Sequence, residues 1–204
     1  MYVRILTGIL FLAIMGLLIA QRFSLPSELP VRIAAGSGED AGYGFGEELR
    51  RGSVVETGNG FLKLTIGVEG EKNDQAETIL WLAPNTRIEL HRLYQDELTI
   101  RFTKGRLVVS NQAEVPLKIE TNHTTHLVHG DVASFVNYDF LETVHVIPIK
   151  GSVQVNMPSG ENLLTPVPLS IHETEPVTFE KLEVNLSAGD SEEFYLWTGI
   201  LTEN

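Results

Sequence analysis

Short alternating segments between Gly52 and Leu90 constrain the fold of this chain more than any other feature. Leu62–Ile66 reads LKLTI and Thr86–Leu90 reads TRIEL, so apolar side chains recur at every second position. That period is typical of strands with one buried face. Gly58-Asn59-Gly60 precedes the first segment and Pro84-Asn85 precedes the second, and both supply residues that favour turns. The stretch therefore predicts strands joined by tight turns.

The rest of the chain continues the pattern at intervals of about ten residues, with Lys104-Gly105 predicted to turn the chain between two strands. This spacing predicts an all-β fold, either a sandwich, a roll or a short β-solenoid. Val177–Leu186 is predicted as an irregular strand, and Glu192–Ile200 fits either a terminal helix or a strand. The other predicted strands are Val31–Ala35, Leu98–Phe102, Arg106–Ser110, Pro116–Thr121, Leu127–Val128, Val132–Tyr138, Glu142–Ile147, Gly151–Met157 and Leu169–His172.

Charge and cysteine content exclude several classes of function. The chain has 204 residues, which suits one domain, and a formal net charge of -12 at pH 7. Binding to nucleic acid through phosphate neutralisation requires a basic patch, and the sequence has no cluster beyond Arg50-Arg51. The chain has no cysteine, which excludes disulfides, thiolate metal sites and a cysteine nucleophile.

The amino terminus predicts a membrane anchor. Ile5–Ala20 is apolar and uncharged, and Arg4 and Arg22 flank it. It is long enough for a helix of roughly 24 Å, which flanking residues extend across the bilayer. A cleaved secretory signal is the alternative, although Leu18 is bulky where a small residue is preferred. Either interpretation places the β domain outside the cytoplasmic membrane.

Three regions follow from these features. Residues 1–23 are the predicted anchor or uncleaved signal, and residues 24–30 (SLPSELP) are a Pro/Ser spacer. Residues 31–204 are the predicted extracytoplasmic β domain. Gly36–Gly46 is rich in glycine and is predicted as a loop or a loosely paired hairpin, and Glu69–Glu77 is polar and is predicted as a hairpin loop.

The order of motifs from Gly52 to Val155 resembles the FecR-like domain of bacterial envelope proteins, with its core at about residues 52–157. The motifs share strand-and-turn character, and their order carries the resemblance. They are Gly52-x-x-Val55-x-Thr57-Gly58, Phe61–Ile66, Pro84–Leu90, Lys104–Val109, Pro116–Thr121, His129–Phe135 and Gly151–Val155.

The resemblance implies an all-β extracytoplasmic domain that relays signals or scaffolds at the cell envelope. Some members sense an outer receptor and control a sigma factor. Those regulators carry a cytoplasmic helical region before the membrane span, whereas only Met1–Arg4 precedes the apolar run here. Asp131 also stands where the family often has threonine. We therefore expect a binding or scaffolding role without direct control of a sigma factor.

Candidate chemical sites are weak. His123, His126 and His129 suggest a metal, but residues three apart in a strand point to opposite faces, so we interpret them as surface or turn histidines. Ser134 lies near His129 and Asp131 without the strained turn of a serine nucleophile. The sequence thus predicts no catalytic, cofactor-binding or metal-binding residues.

Two other features also have ordinary interpretations. Trp81 and Trp197 are predicted to pack in the core or at an edge, and to form no carbohydrate platform. The acceptor patterns at Asn122 and Asn185 for glycosylation are short enough to arise by chance.

Three functional hypotheses remain open. The first is a non-enzymatic, membrane-tethered module that binds or scaffolds an envelope protein through its strands and loops. The second is a structural subunit that assembles with copies of itself or with a larger envelope complex. The third is similar in layout to single-span β-jellyroll proteins of lipopolysaccharide transport, which would require an open apolar groove.

Overall fold

The fold is all-β, as predicted. A computed structural model describes residues 10–11, 14–16, 28–37, 43–67 and 78–202. The described residues include fifteen strands, helical residues at 10–11 and 14–16, and a short α-helix near the carboxyl end, α1 (Glu192–Trp197). The strands are β1 (Val31–Ser37), β2 (Glu48–Leu49), β3 (Val54–Glu56), β4 (Phe61–Ile66), β5 (Thr78–Leu82), β6 (Arg87–Tyr94), β7 (Glu97–Asn111), β8 (Leu117–Glu120), β9 (Thr125–Val128), β10 (Val132–Tyr138), β11 (Thr143–Lys150), β12 (Val153–Asn156), β13 (Asn162–Thr165), β14 (Leu169–His172) and β15 (Thr178–Lys181).

Two sheets share strand β7. Sheet A has the order β3-β6-β7-β8-β9-β12-β13, and sheet B has the order β2-β1-β4-β5-β7-β10-β11-β14-β15. Neighbouring strands are antiparallel except for β7 and β8. Side chains from the inner faces of both sheets form one large apolar cluster, so the arrangement is a sandwich.

Strand β7 crosses from one sheet to the other at Gly105. Residues 97–104 pair with β6, and residues 105–111 pair with β5 and β10. The prediction that Lys104-Gly105 reverses the chain is therefore wrong. Glycine here has a φ of +96° and passes the Thr86 backbone so closely that a Cβ would lie 2.5 Å from its Cα. The conformational freedom of glycine bends the strand between sheets without ending it.

Alternation within the strands explains the core. Leu62 and Leu64 of β4 point inwards between the sheets, as do Leu107 and Val109 of β7. Val108 lies on the other face of sheet B, and it is also fully buried. That outer face must therefore be covered by another element.

The covering element is α1. Phe194 and Tyr195 pack on Val108, and the Tyr195 hydroxyl lies 2.9 Å from Ser134 Oγ on β10. The aromatic carboxyl end is therefore helical, because its rings fill the outer face of sheet B. Trp197 packs there against Phe61, with ring centroids 5.3 Å apart.

Several elements differ from prediction. Strand β13 was not predicted, β15 is shorter than predicted, and β1 extends two residues beyond Ala35. Glu28–Pro30 contact the domain although they were assigned to the spacer, since Leu29 N–H donates to Leu93 O at 2.7 Å. Most of the predicted anchor and spacer, and all of the Glu69–Glu77 loop, lie outside the described residues. Among those described, no helix has the length and apolar character needed to cross a membrane.

Candidate functional site

A cleft of about 640 Å³ lies where three loops meet at one end of the sandwich. The loops follow β8, β12 and β14, so both sheets contribute to it. The cleft adjoins strands β13 and β15, which terminate sheets A and B on this side. Its lining residues are His123, Met157, Pro158, Ser159, Glu161, Glu173, Thr174, Glu175, Pro176 and Val177. We call it the edge cleft.

Glu173 joins the two sheets beneath the edge cleft. Its side chain is fully buried and accepts five hydrogen bonds from the β8–β9 loop. Three donors are the successive backbone N–H groups of residues 122–124, at 2.9–3.3 Å, and the others are the hydroxyls of Thr121 and Thr124. Successive N–H groups form an anion-binding concavity. Here a carboxylate of the same chain fills it and holds β14 of sheet B against sheet A.

His126 extends this network into the core. Its Nε2 lies 3.0 Å from Thr124 Oγ1, and its ring lies 5.5 Å from the Phe135 ring. Burial lowers its pKa from 6.5 to about 4, although the negative charge of Glu173 acts in the opposite direction. The interpretation of all three histidines as surface or turn residues is therefore wrong for His126.

The burial of His126 predicts a loss of stability in mild acid. The unfolded chain takes up a proton on this ring below pH 6.5, whereas the folded chain does so only near pH 4. The folded state is therefore expected to lose about 3 kcal/mol as the pH falls from 6.5 to 4. Urea unfolding across this range measures the loss.

His126→Gln is the matched control, because an amide can still bond to Thr124 but does not titrate. His145, whose pKa is also lowered by burial, contributes equally to both proteins. A variant whose pH dependence equals that of the wild type would contradict the assignment to His126.

The three histidines that were considered as metal ligands do not converge. His123 is exposed and lines the edge cleft, His126 is buried and His129 is exposed elsewhere. Among the described residues, no group of three or more histidine and carboxylate side chains is arranged to hold a metal.

Ser134 is not paired with the nearby acid and histidine. Its hydroxyl is buried and bonds to Tyr195, while the Asp131 carboxylate accepts a hydrogen bond from Ser152 N–H at 3.2 Å. Burial raises the pKa of Tyr195, which keeps that phenol neutral. Ser134 therefore holds α1 on sheet B and has no geometry for nucleophilic attack.

The two tryptophans pack at the core or an edge, as predicted. Trp81 and Trp197 belong to the apolar cluster under α1. In the first acceptor pattern, the Thr124 side chain is buried against Glu173. These positions contribute to packing.

Sequence reasoning missed Glu173 and His126, although each follows the phase of a strand. Leu169 and Ile171 are buried, so the next inward position is Glu173. Likewise His126 precedes the buried Val128 by two positions. A polar residue in phase with a buried face must find partners, because an unpaired buried polar group costs free energy.

The open side of the edge cleft is apolar and acidic. Met157 and Val177 are half-buried and Pro158 is exposed, while the carboxylates of Glu161 and Glu175 are at its rim. Neither carboxylate bonds to another side chain in the described part of the chain. The cleft is thus a concave apolar surface with negative charge at its edge.

Comparisons with known proteins leave the family open. No protein-family model matches the sequence, and no curated protein matches it. Two crystal structures of candidate anti-sigma factors from Parabacteroides distasonis are similar to it. The first is 15% identical with a TM-score of 0.46, and the match covers 63% of this chain and 59% of that chain. The second is 18% identical with a TM-score of 0.42, and the match covers 51% of each chain.

Proposed function

We propose that this chain is a non-enzymatic, membrane-tethered binding and scaffolding module of the bacterial cell envelope. Residues 1–23 anchor it, and the β domain lies outside the cytoplasmic membrane and recognises another envelope protein. Relay of a signal through that contact belongs to the same proposal. The function requires no metal or cofactor.

Two edge strands carry the proposal. In the described ranges, β13 pairs only with β12, and β15 pairs only with β14. Leu164 on β13 is 65% exposed and Phe179 on β15 is 48% exposed. Soluble proteins usually protect sheet edges with charge or a covering element, since an open edge can pair with another chain. Exposed apolar side chains on such edges favour a partner that adds a strand.

Apolar side chains support the anchor. Leu10, Phe11, Ile14 and Met15 are helical, and each is between 41% and 63% exposed. Exposed apolar groups on a helix are stable in contact with lipid, whereas water disfavours them. They therefore fit a segment that enters the bilayer.

The packed core argues against the lipid-transport alternative. That alternative requires an open apolar groove between the sheets. In the described part of the domain, buried side chains from both sheets occupy this space. A lipid chain would have to displace a packed core.

Cross-linking of the full-length protein in its own cells tests the proposal. After extraction in detergent and purification, mass spectrometry identifies the recovered proteins. We expect a defined envelope protein with the wild type, and recovery lower by about fivefold or more with Leu164→Lys or Phe179→Lys, because a charge at the contact opposes strand addition.

Val54→Lys is the matched control. Val54 is 45% exposed on β3, the edge at the other end of sheet A. Recovery that is equal for all variants would contradict docking at β13 and β15. Recovery of the chain with copies of itself alone would support the structural subunit instead.

A further inference from the structure

The chemistry of the edge cleft identifies a class of ligand for the proposed binding function. We propose that it receives an extended segment of a partner protein in which a lysine or arginine lies between apolar residues. This inference depends on the proposed function, because the segment belongs to the partner recognised there.

The walls of the edge cleft favour apolar side chains in the bound segment. Met157 and Pro158 lie on one side of the cleft and Pro176 and Val177 on the other. The volume of about 640 Å³ is within the range of roughly 300–1,000 Å³ typical of binding pockets. Methionine adapts to ligands of different shapes, since its side chain is unbranched and polarizable. Apolar side chains of a partner are therefore suitable occupants.

Charge complementarity favours a lysine or arginine in the bound segment. Glu161 and Glu175 place two exposed carboxylates at the rim. No lysine or arginine is among the described residues that line the cleft. The whole chain carries a net charge of -12, which attracts basic partners and repels acidic ones. A basic side chain between apolar neighbours therefore matches both the apolar walls and the acidic rim of the cleft.

The edge strands β13 and β15 favour an extended conformation of the bound segment. β13 begins at Asn162, directly after Glu161, and β15 begins at Thr178, directly after Val177. A segment that leaves the cleft along either strand meets an unpaired edge of backbone donors and acceptors. Strand addition gives affinity through the main chain, and the cleft adds side-chain specificity.

Methionine offers a local probe for this binding. The chain has three methionines, and among the described residues only Met157 lines the edge cleft. The full-length protein is prepared in detergent with ¹³C-labelled methionine methyl groups, and Met157→Leu assigns the signal. The ligands are a capped pentapeptide of alternating valine and lysine, and a second peptide with glutamate in place of lysine.

We expect the lysine peptide to shift the Met157 signal in a saturable manner, and the glutamate peptide to leave it unchanged. Glu161→Gln combined with Glu175→Gln is expected to weaken binding about fivefold to tenfold, as two exposed charge pairs are lost. Glu114→Gln combined with Glu192→Gln makes the same charge change at exposed residues outside the cleft, and it should preserve the affinity.

Equal binding of the two peptides, or an unmoved Met157 signal at millimolar peptide, would overturn the inference. If cross-linking still recovers a partner that depends on Leu164 and Phe179, the proposed function stands and only the inference fails. If cross-linking recovers no partner and the peptide does not bind, the proposed function and the inference both fail.

Discussion

Gly105→Ala is expected to destabilise the domain by about 4 kcal/mol or more, a large fraction of the roughly 5–15 kcal/mol that stabilises a typical folded domain. The new Cβ would lie 2.5 Å from Thr86 Cα and 2.9 Å from the Asn85 carbonyl oxygen. Both are backbone atoms of the β5–β6 connection, so they cannot move without disturbing both sheets. The φ of +96° adds strain for any residue with a side chain. Urea unfolding followed by circular dichroism measures the loss.

Gly130→Ala separates the clash from the strain. Gly130 has a φ of +68°, and a Cβ there would meet nothing within 4 Å. The Gly130→Ala substitution should lower the free energy of unfolding by only about 1 to 2 kcal/mol. Equal losses at the two glycines would show that close approach to Thr86 is not what requires Gly105.

Glu173→Gln is expected to cost about 3 kcal/mol of the free energy of unfolding. The buried carboxylate accepts five hydrogen bonds, and hydrogen bonds to charged groups are among the strongest in proteins. An amide has one oxygen and two N–H donors, so its nitrogen would face donors from the loop at residues 121–124. Chemical denaturation at pH 7 measures the difference, and hydrogen exchange should accelerate at the amides of residues 122–124.

Glu175→Gln is the control for this loss. Its carboxylate is two residues away and exposed, so its effect should lie within about 0.5 kcal/mol. A loss at Glu173 as small as that at Glu175 would mean that the Glu173 contact does not hold the sheets together.

Gly105 and Glu173 differ in how far the sequence could predict their roles. Lys104-Gly105 is a turn signal, so a break was predicted there, but a local pattern cannot distinguish a reversal from a bend between sheets. The distinction depends on β5 and β10, which pair beside the carboxyl half of β7. Glu173 lies in a stretch containing several prolines, and its hydrogen-bond donors are about fifty positions away.

The edge cleft was beyond sequence reasoning for the same reason. Its residues come from three loops, and β13 beside it was not predicted because its sequence, NLLT, shows no alternation of apolar and polar residues. The aromatic residues of α1 were equally compatible with helix and strand. The segment is helical because its aromatic side chains then contact Val108 and Ser134 on sheet B.

Alternation and turn chemistry in the sequence were enough to predict most of the strands and the all-β class, because both act between neighbouring residues. Three features follow only from the folded structure: β7 joins two sheets, Glu173 binds a loop of the opposite sheet, and β13 and β15 are open edges among the described residues. Each of these depends on long-range pairing, in which backbone donors and carboxylates find partners that are distant along the chain.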